Sequence, residues 1–152
     1  MEWTTHGLSG IALGFLMTGD WKGAVVGGVS SLIPDIDEPK SKLGRPLLFI
    51  SYPLKSLVGH RTLTHSLPFA LIMSLLVMLF TNLTFGLAVF SGIVAHILGD
   101  MITGRVQLLY PHHSFIGIPT SRLNYLLIDR IVRVALTGWL LLVGYQEIQA
   151  YM

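Results

Sequence analysis

Seven side chains able to ligate a metal stand out in a chain poor in polar groups: His6, Asp35, Asp37, His60, His65, His96 and Asp100. His96 and Asp100, in AHILGD, are four apart, so on a helix both project from one face and can hold one cation. Asp35 and Asp37, in PDID, follow a proline, and an extended backbone there aims both the same way. With Glu38 they crowd the negative end of an apolar helix, which the helix dipole and mutual repulsion disfavour unless a cation compensates. His60 and His65, in GHRTLTHS, cannot share a face of one regular helix at spacing five. One belongs in a turn and the other at a helix start, where Thr62, Thr64 or Ser66 can cap and Pro68 is tolerated. A His/Asp set without cysteine suits a divalent transition metal, Zn first and Mn or Fe next, rather than an oxygen-only calcium site. Seven donors exceed the needs of one tetrahedral ion, and two ions about 3.5–4 Å apart would use them economically. Plainer readings exist for each part: a histidine donating within its own helix, solvated acids at a helix stop, and a capping or packing role for His6. His112 and His113, in YPHHS, are adjacent, so their side chains diverge; they read as interface residues.

The elements that must position these donors are greasy. Of 152 residues, 52% are hydrophobic and 12% charged, with mean hydropathy +0.66. That charged share is about half the usual one for a soluble domain, so the chain reads as a single membrane domain over residues 1–152. A net charge of +2 with no dense basic run argues against nucleic acid. The absence of cysteine excludes disulfides and thiolate zinc sites, and the opening Met-Glu-Trp lacks the basic start of a cleaved signal peptide.

Four apolar regions follow one another. The first, from about Gly7 to Ile33, is interrupted by TGDWKG at 18–23 and reads as a short helical hairpin. Its arms, at about 1.5 Å per residue, barely reach across a hydrocarbon core of about 30 Å. The second is Ser66–Phe80 and the third Phe85–Thr103, joined by TNLT. The fourth runs from about Leu123 to Tyr145, its first half carrying Asp129, Arg130 and Arg133 and therefore placed at the membrane interface. Between the first two, Pro34, Pro39, Pro46 and Pro53 break any long helix; LLFISYPLKSLV (47–58) is either a flat amphipathic piece or a packed loop. The fold expected is all-α: a polytopic membrane helix bundle whose interfacial loops carry the metal site. Trp3, Trp21 and Trp139 read as interface or packing aromatics, and the glycines of GAVVGG as points of close helix contact.

Charge orients the bundle. Lys40, Lys42, Arg45, Lys55, Arg61, Arg105, Arg122, Arg130 and Arg133 share one side if the first region is a hairpin, against Lys22 on the other. The positive-inside rule then places both long loops in the cytoplasm, with the C-terminus across the membrane. Following the chain through these turns brings all seven donors to the cytoplasmic layer.

The blocks PDIDEPKSKLGR (34–45), GHRTLTHSL (59–67) and HILGDMITGRVQLLYP (96–111) resemble the signatures of the YdjM-like family of LexA-regulated inner-membrane metal-dependent hydrolases. The resemblance runs over nearly the whole chain and includes His6 in TTHG. It implies a multi-pass protein of the bacterial inner membrane with a metal-hydrolase site formed by the seven donors. A looser similarity to zinc-dependent bacterial phospholipases C implies that Asp100 bridges metals. The chain departs from the family pattern at Thr62, where glycine is expected, and in TGRVQLLYP, a residue shorter than usual; both bear on substrate selection near Arg105.

The function expected is therefore a membrane-embedded metal-dependent hydrolase acting on a phosphoester or related bond of a lipid or amphiphile, with Asp37 and Arg61 as catalytic residues. Arg45, Arg61 and Arg105 can each hold phosphate or serve as positive-inside anchors. Phe90 stands where a phosphatidic-acid-type phosphatase needs an arginine, and neither HExxH nor GxSxG occurs. The rival class is a non-catalytic metal-binding membrane protein: a transporter, a sensor or a metal-stabilised scaffold.

Overall fold

The computed structural model describes residues 1–151. Its helices are α1 (Trp3–Thr18), α2 (Trp21–Ser30), α3 (Leu48–Val58), α4 (Leu67–Phe80), α5 (Leu83–Ile102) and α6 (Arg122–Tyr151), with 3-10 turns at Pro34–Asp37 and Leu63–His65. The all-α expectation misses one small element. β1 (Arg105–Val106) and β2 (Ile116–Gly117) pair antiparallel, Arg105 opposite Gly117 and Val106 opposite Ile116. Two residues per strand are too few to show an alternating pattern, yet they satisfy backbone groups in the long loop after α5.

The expected N-terminal hairpin is present. Gly19 (φ 63°) ends α1 in the left-handed region with its N–H bonded to the Phe15 carbonyl, and the Asp20 side chain accepts from Lys22 N to start α2. Glycines let the two arms touch at backbone distance. A Cβ on Gly27 would lie 2.5 Å from the Gly10 carbonyl oxygen, and one on Gly10 would lie 2.4 Å from that of Gly27. Asn82 caps α5 by accepting from Phe85 N, so that helix begins two residues before the apolar run does.

α5 is the axis of the bundle, packed against α1, α2 and α4. Val89, Ile93 and Ile97 form the core with Ala70 of α4 and Val106 of β1. α6 packs on α1 through a polar clasp. Asp129, though buried, accepts from Glu2 N at 2.8 Å, which supplies a cap that the Glu2 side chain does not give α1. Arg133 pairs with Asp129 and donates through Nε to Thr5 Oγ1 at 3.1 Å. The polar half of α6 thus turns inward at Asp129 rather than only facing the interface.

Among the described residues, α5 is the helix long and apolar enough to cross a membrane, with mean hydropathy 1.8. The 14 residues of α4 rise only about 21 Å, short of a core about 30 Å thick. Leu71, Ile72, Leu75 and Leu79 of α4 and Leu141 and Leu142 of α6 are exposed, an apolar surface that suits lipid better than water. α3 buries Ser51 and exposes Phe49, Tyr52 and Leu57, as a segment lying on a membrane would.

Candidate metal centre

Four stretches far apart in sequence meet where α1 begins and α5 ends. His6, inside α1 rather than ahead of it, stacks on His96 with ring centroids 3.7 Å apart. One α5 turn on, Asp100 lies with Oδ1 3.3 Å from His6 Nε2 and Oδ2 3.8 Å from His96 Nε2, so the i, i+4 pair does face one point. The loop 59–66 then closes over the cluster. His60 lies in the turn and His65 ends the 3-10 segment. Ser66 caps α4 by accepting from Phe69 N, and Pro68 falls in its first turn.

The PDID pair departs from expectation. Pro34–Asp37 is a 3-10 turn, not extended chain, so the two carboxylates diverge. Asp35 Oδ1 faces His96 Nε2 at 3.7 Å. Asp37 faces the other way, with Oδ1 2.7 Å from His60 Nδ1 and Oδ2 accepting from Thr64 Oγ1 at 2.6 Å and from Arg61 N at 3.3 Å. The turn therefore feeds the middle of one strip of donors through Asp35 and one end of it through Asp37.

All seven sequence-derived donors belong to that strip. Three sets each bring their ligand atoms within 4.8 Å of one another: His6, His96 and Asp100; Asp35, His65 and His96; Asp37, His60 and His65. Because His65 and His96 each serve two sets, the strip is continuous. His6, Asp37, His65, His96 and Asp100 are buried, whereas the side chains of His60 and Asp35 keep 30% and 21% exposure and form the open edge. His112 and His113 lie exposed in the β1–β2 connection, outside all three sets.

Hydrogen bonding fixes which nitrogens can ligate. The Ser31 carbonyl at the end of α2 can only accept, so His96 Nδ1, 2.6 Å away, donates to it and Nε2 carries the lone pair. Thr64 Oγ1 spends its proton on Asp37, so its oxygen accepts from His65 Nδ1 at 3.0 Å. His65 Nε2 then also presents a lone pair, 3.1 Å from His96 Nε2 and 3.4 Å from Asp100 Oδ2. Two lone pairs cannot face each other at that distance in a dry interior without a cation. A proton on His65 is one remedy and a metal ion is the other. Two imidazoles each about 2.0–2.1 Å from a tetrahedral zinc would stand about 3.3 Å apart, so the residues fit the ion. The buried Nδ1 of His6 has no hydrogen-bond partner, which again marks the cluster as incomplete by itself.

The charges agree. Burial raises the Asp35 carboxyl above its ordinary range despite the counteracting His6. Burial would raise Asp37 as well, but the bonds from His60 and His65 hold it below the usual carboxylate range. Burial pushes the His65 imidazole down, yet Asp100 and Asp37 outweigh it and hold the proton up to a pKa of about 9. This layer is built to keep positive charge between the carboxylates.

Arg61 is brought into the same layer. Its backbone sits in the left-handed region (φ 65°), its N–H reaches Asp37 and its carbonyl accepts from Gln107 N at 2.9 Å. The guanidinium Nε lies 2.9 Å from Asp100 Oδ2 without an aligned hydrogen bond. It fits there because residue 104 is glycine: a Cβ at that position would lie 2.0 Å from Arg61 Nη1. The Met1 nitrogen also reaches Asp100 Oδ1, at 2.8 Å. Arg105, by contrast, is held in β1. A cleft of about 520 Å³ opens beside Asp35, lined by Lys40, Lys42 and Arg45 among others.

Thr64, the Ser31 carbonyl and Gly104 were not legible as parts of the site. Thr64 reads as a helix cap, and nothing local says that its hydroxyl bridges an acid to an imidazole.

The profile of the YdjM inner membrane protein family matches residues 1–151. "Inner membrane protein YdjM" of Escherichia coli (strain K12) is 38% identical over 137 residues, covering 82% of this chain and 68% of that protein. The same identity and coverage hold for "Inner membrane protein YdjM" of Shigella flexneri. "Uncharacterized protein YvsG" of Bacillus subtilis (strain 168) is 34% identical over 118 residues, covering 75% of this chain and 72% of that protein. No solved structure matches the chain.

Proposed function

We propose a function for a chain that belongs to the YdjM inner membrane protein family: it is a multi-pass, metal-dependent hydrolase that cleaves a phosphoester or related bond of a lipid or amphiphile at the cytoplasmic face. One observation carries the reading: the Nε2 atoms of His65 and His96, 3.1 Å apart, have their Nδ1 atoms committed to Thr64 and Ser31 and are ringed by Asp35 and Asp100. His6, Asp35, His65, His96 and Asp100 would hold one or two divalent transition ions, zinc first. Such ions polarise a phosphoryl oxygen and lower the pKa of a water.

The remaining steps fall to the chain's own groups. Asp37, anionic and bonded to His60 Nδ1, orients that imidazole so that Nε2 can take a proton from the attacking water. The water oxygen bonds to phosphorus, the bond from phosphorus to the leaving oxygen breaks, and the proton passes to the released alcohol. Arg61 can shift from Asp100 to the phosphoryl oxygens, which present the two acceptors its fork needs. The clustering of basic residues around the donor layer supports a cytoplasmic orientation.

The test is turnover on a panel of lipid phosphoesters by stripped and metal-reloaded protein in neutral-lipid nanodiscs. Reloading should restore phosphate release. Arg61→Ala should keep metal and lose most turnover, with Arg61→Lys recovering part of it. Wild-type rates in Arg61→Ala would remove the phosphoester assignment. Stoichiometric metal with no metal-dependent turnover would instead favour the scaffold reading, to which the burial of five donors also lends itself.

A further inference from the structure

We infer that the substrate is a single-tailed or single-tail-presenting lipid with an anionic headgroup, its head held in the cleft beside Asp35 and one acyl chain lying in a groove between α1, α5 and α6. The inference rests on the hydrolase reading for the fate of the head, though not for its binding.

The two halves of this site adjoin each other. The polar cleft contains the cations Lys40, Lys42 and Arg45 and the acids Glu2, Asp35 and Glu38. Glu38 is engaged by Lys55 Nζ at 2.5 Å, and Lys42 lies over the Trp3 ring at 5.3 Å. Three cations therefore face two acids that have no lysine or arginine partner, one of which, Asp35, faces His96 and is a candidate ligand of a divalent ion. An anionic head fits that balance and a cationic one does not.

Met1 lines both this cleft and a second, apolar groove of about 270 Å³. The groove takes Ser9, Leu13 and Leu16 from one face of α1, Leu98 and Ile102 from one face of α5, and Leu136 from α6. Leu16 is ten residues beyond His6, so the groove descends about 15 Å from the donor layer along the helix axes. Its volume of about 270 Å³ is spread along that length, so the groove is long and narrow, the shape of one extended acyl chain lying along the helices. Leu98, Leu16 and Ile102 are exposed to whatever fills it. A groove that starts at a cationic cleft and runs along apolar helix faces in a membrane protein takes an acyl chain, whose head is then delivered at Asp35.

The test uses the full chain in nanodiscs of a zwitterionic lipid. It is titrated with a spin-labelled single-chain phosphate amphiphile, and the immobilised fraction is read by electron spin resonance. The same labelled chain with a hydroxyl head, and inorganic phosphate as competitor, form the comparison arms. The phosphate-headed chain should be immobilised at least about tenfold more tightly than the hydroxyl-headed one. Inorganic phosphate should not displace it at comparable concentration. Leu98→Trp and, independently, Leu136→Trp should weaken it about tenfold with metal content unchanged, while Lys40→Ala with Arg45→Ala should erase the preference for the charged head. Equal binding of both heads, unchanged binding in both tryptophan variants, or displacement by inorganic phosphate alone would overturn the inference. So would efficient crosslinking of two Leu98→Cys chains, which would show that a second copy covers the groove; the chain has no other cysteine. Binding persists in stripped protein if the lipid site is right and the hydrolase reading wrong. Metal-dependent cleavage of a water-soluble phosphoester, undiminished in Leu98→Trp and without lipid immobilisation, would mark the opposite case.

Discussion

Replacing Thr64 by valine removes one hydroxyl and almost no volume, yet it acts on the donor layer at two points. Thr64 Oγ1 donates to Asp37 Oδ2 at 2.6 Å and accepts from His65 Nδ1 at 3.0 Å, so it holds His65 in the tautomer whose Nε2 can ligate. Valine leaves His65 Nδ1 with Asp37 Oδ2 at 3.4 Å as its remaining partner, too long for a normal hydrogen bond. Losing a group that orients a ligand weakens metal binding by about 10- to 100-fold, or about 1.4–2.8 kcal/mol. A buried charged acceptor also loses a donor, a stability cost of about 1.5–3 kcal/mol in the metal-free protein. The assay is competition with a chromophoric chelator in detergent, run beside Thr64→Ser, which keeps the hydroxyl and should stay within about threefold of wild type. Should Thr64→Val bind metal as tightly as wild type, the tautomer argument fails, and with it the claim that the loop 59–66 is organised around a metal ligand.

Further predictions concern protons, packing and orientation. His65 keeps its proton up to about pH 9 in the metal-free protein, so a metal must displace it; apparent affinity should rise by at least about tenfold per pH unit below about 9 and level off above, and a flat profile would mean that His65 is not a ligand. In the metal-free protein the raised pKa contributes stability that is fully present below about pH 6.5 and lost as pH climbs through 9. Thermal unfolding should therefore fall towards pH 9 in stripped but not in loaded protein. Gly27→Ala should cost about 1–3 kcal/mol, because the added methyl meets the Gly10 carbonyl, and thermal unfolding in detergent reads it directly. It should also loosen metal, since α2 carries the Ser31 carbonyl that orients His96. Cysteine labelling should find residues 40–60 accessible from the cytoplasm and the C-terminus from the other side; labelling of 40–60 from outside would reverse the topology.

What could be read from sequence was read through period and polarity. The i, i+4 spacing of His96 and Asp100 placed both on one face, and spacing five placed His60 and His65 on a turn and a helix start. Pro34 was informative about a break but not about its geometry, because a proline permits both extended chain and a 3-10 turn. The divergence of Asp35 and Asp37 therefore appears only when the turn is seen. The glycine hairpin was legible because no longer side chain explains TGDWKG between two apolar arms. The Asp129–Arg133 clasp was not: on a helix the two look like a solvent-facing i, i+4 ion pair, and only the α1 N-terminus packed beside them makes Asp129 a cap. Arg61 was legible as a cation near ligands, whereas its seat against Gly104 depends on a chain segment far along the sequence.

The central claim is that the His/Asp strip holds transition metal, and elemental analysis of protein purified without chelator tests it most directly. The account predicts one or two zinc, manganese or iron ions per chain, with at least one lost in each of His65→Ala, His96→Ala and Asp100→Ala. Stoichiometric metal retained in all three variants, or folded wild-type protein that takes up none when offered zinc at pH 8, would contradict it.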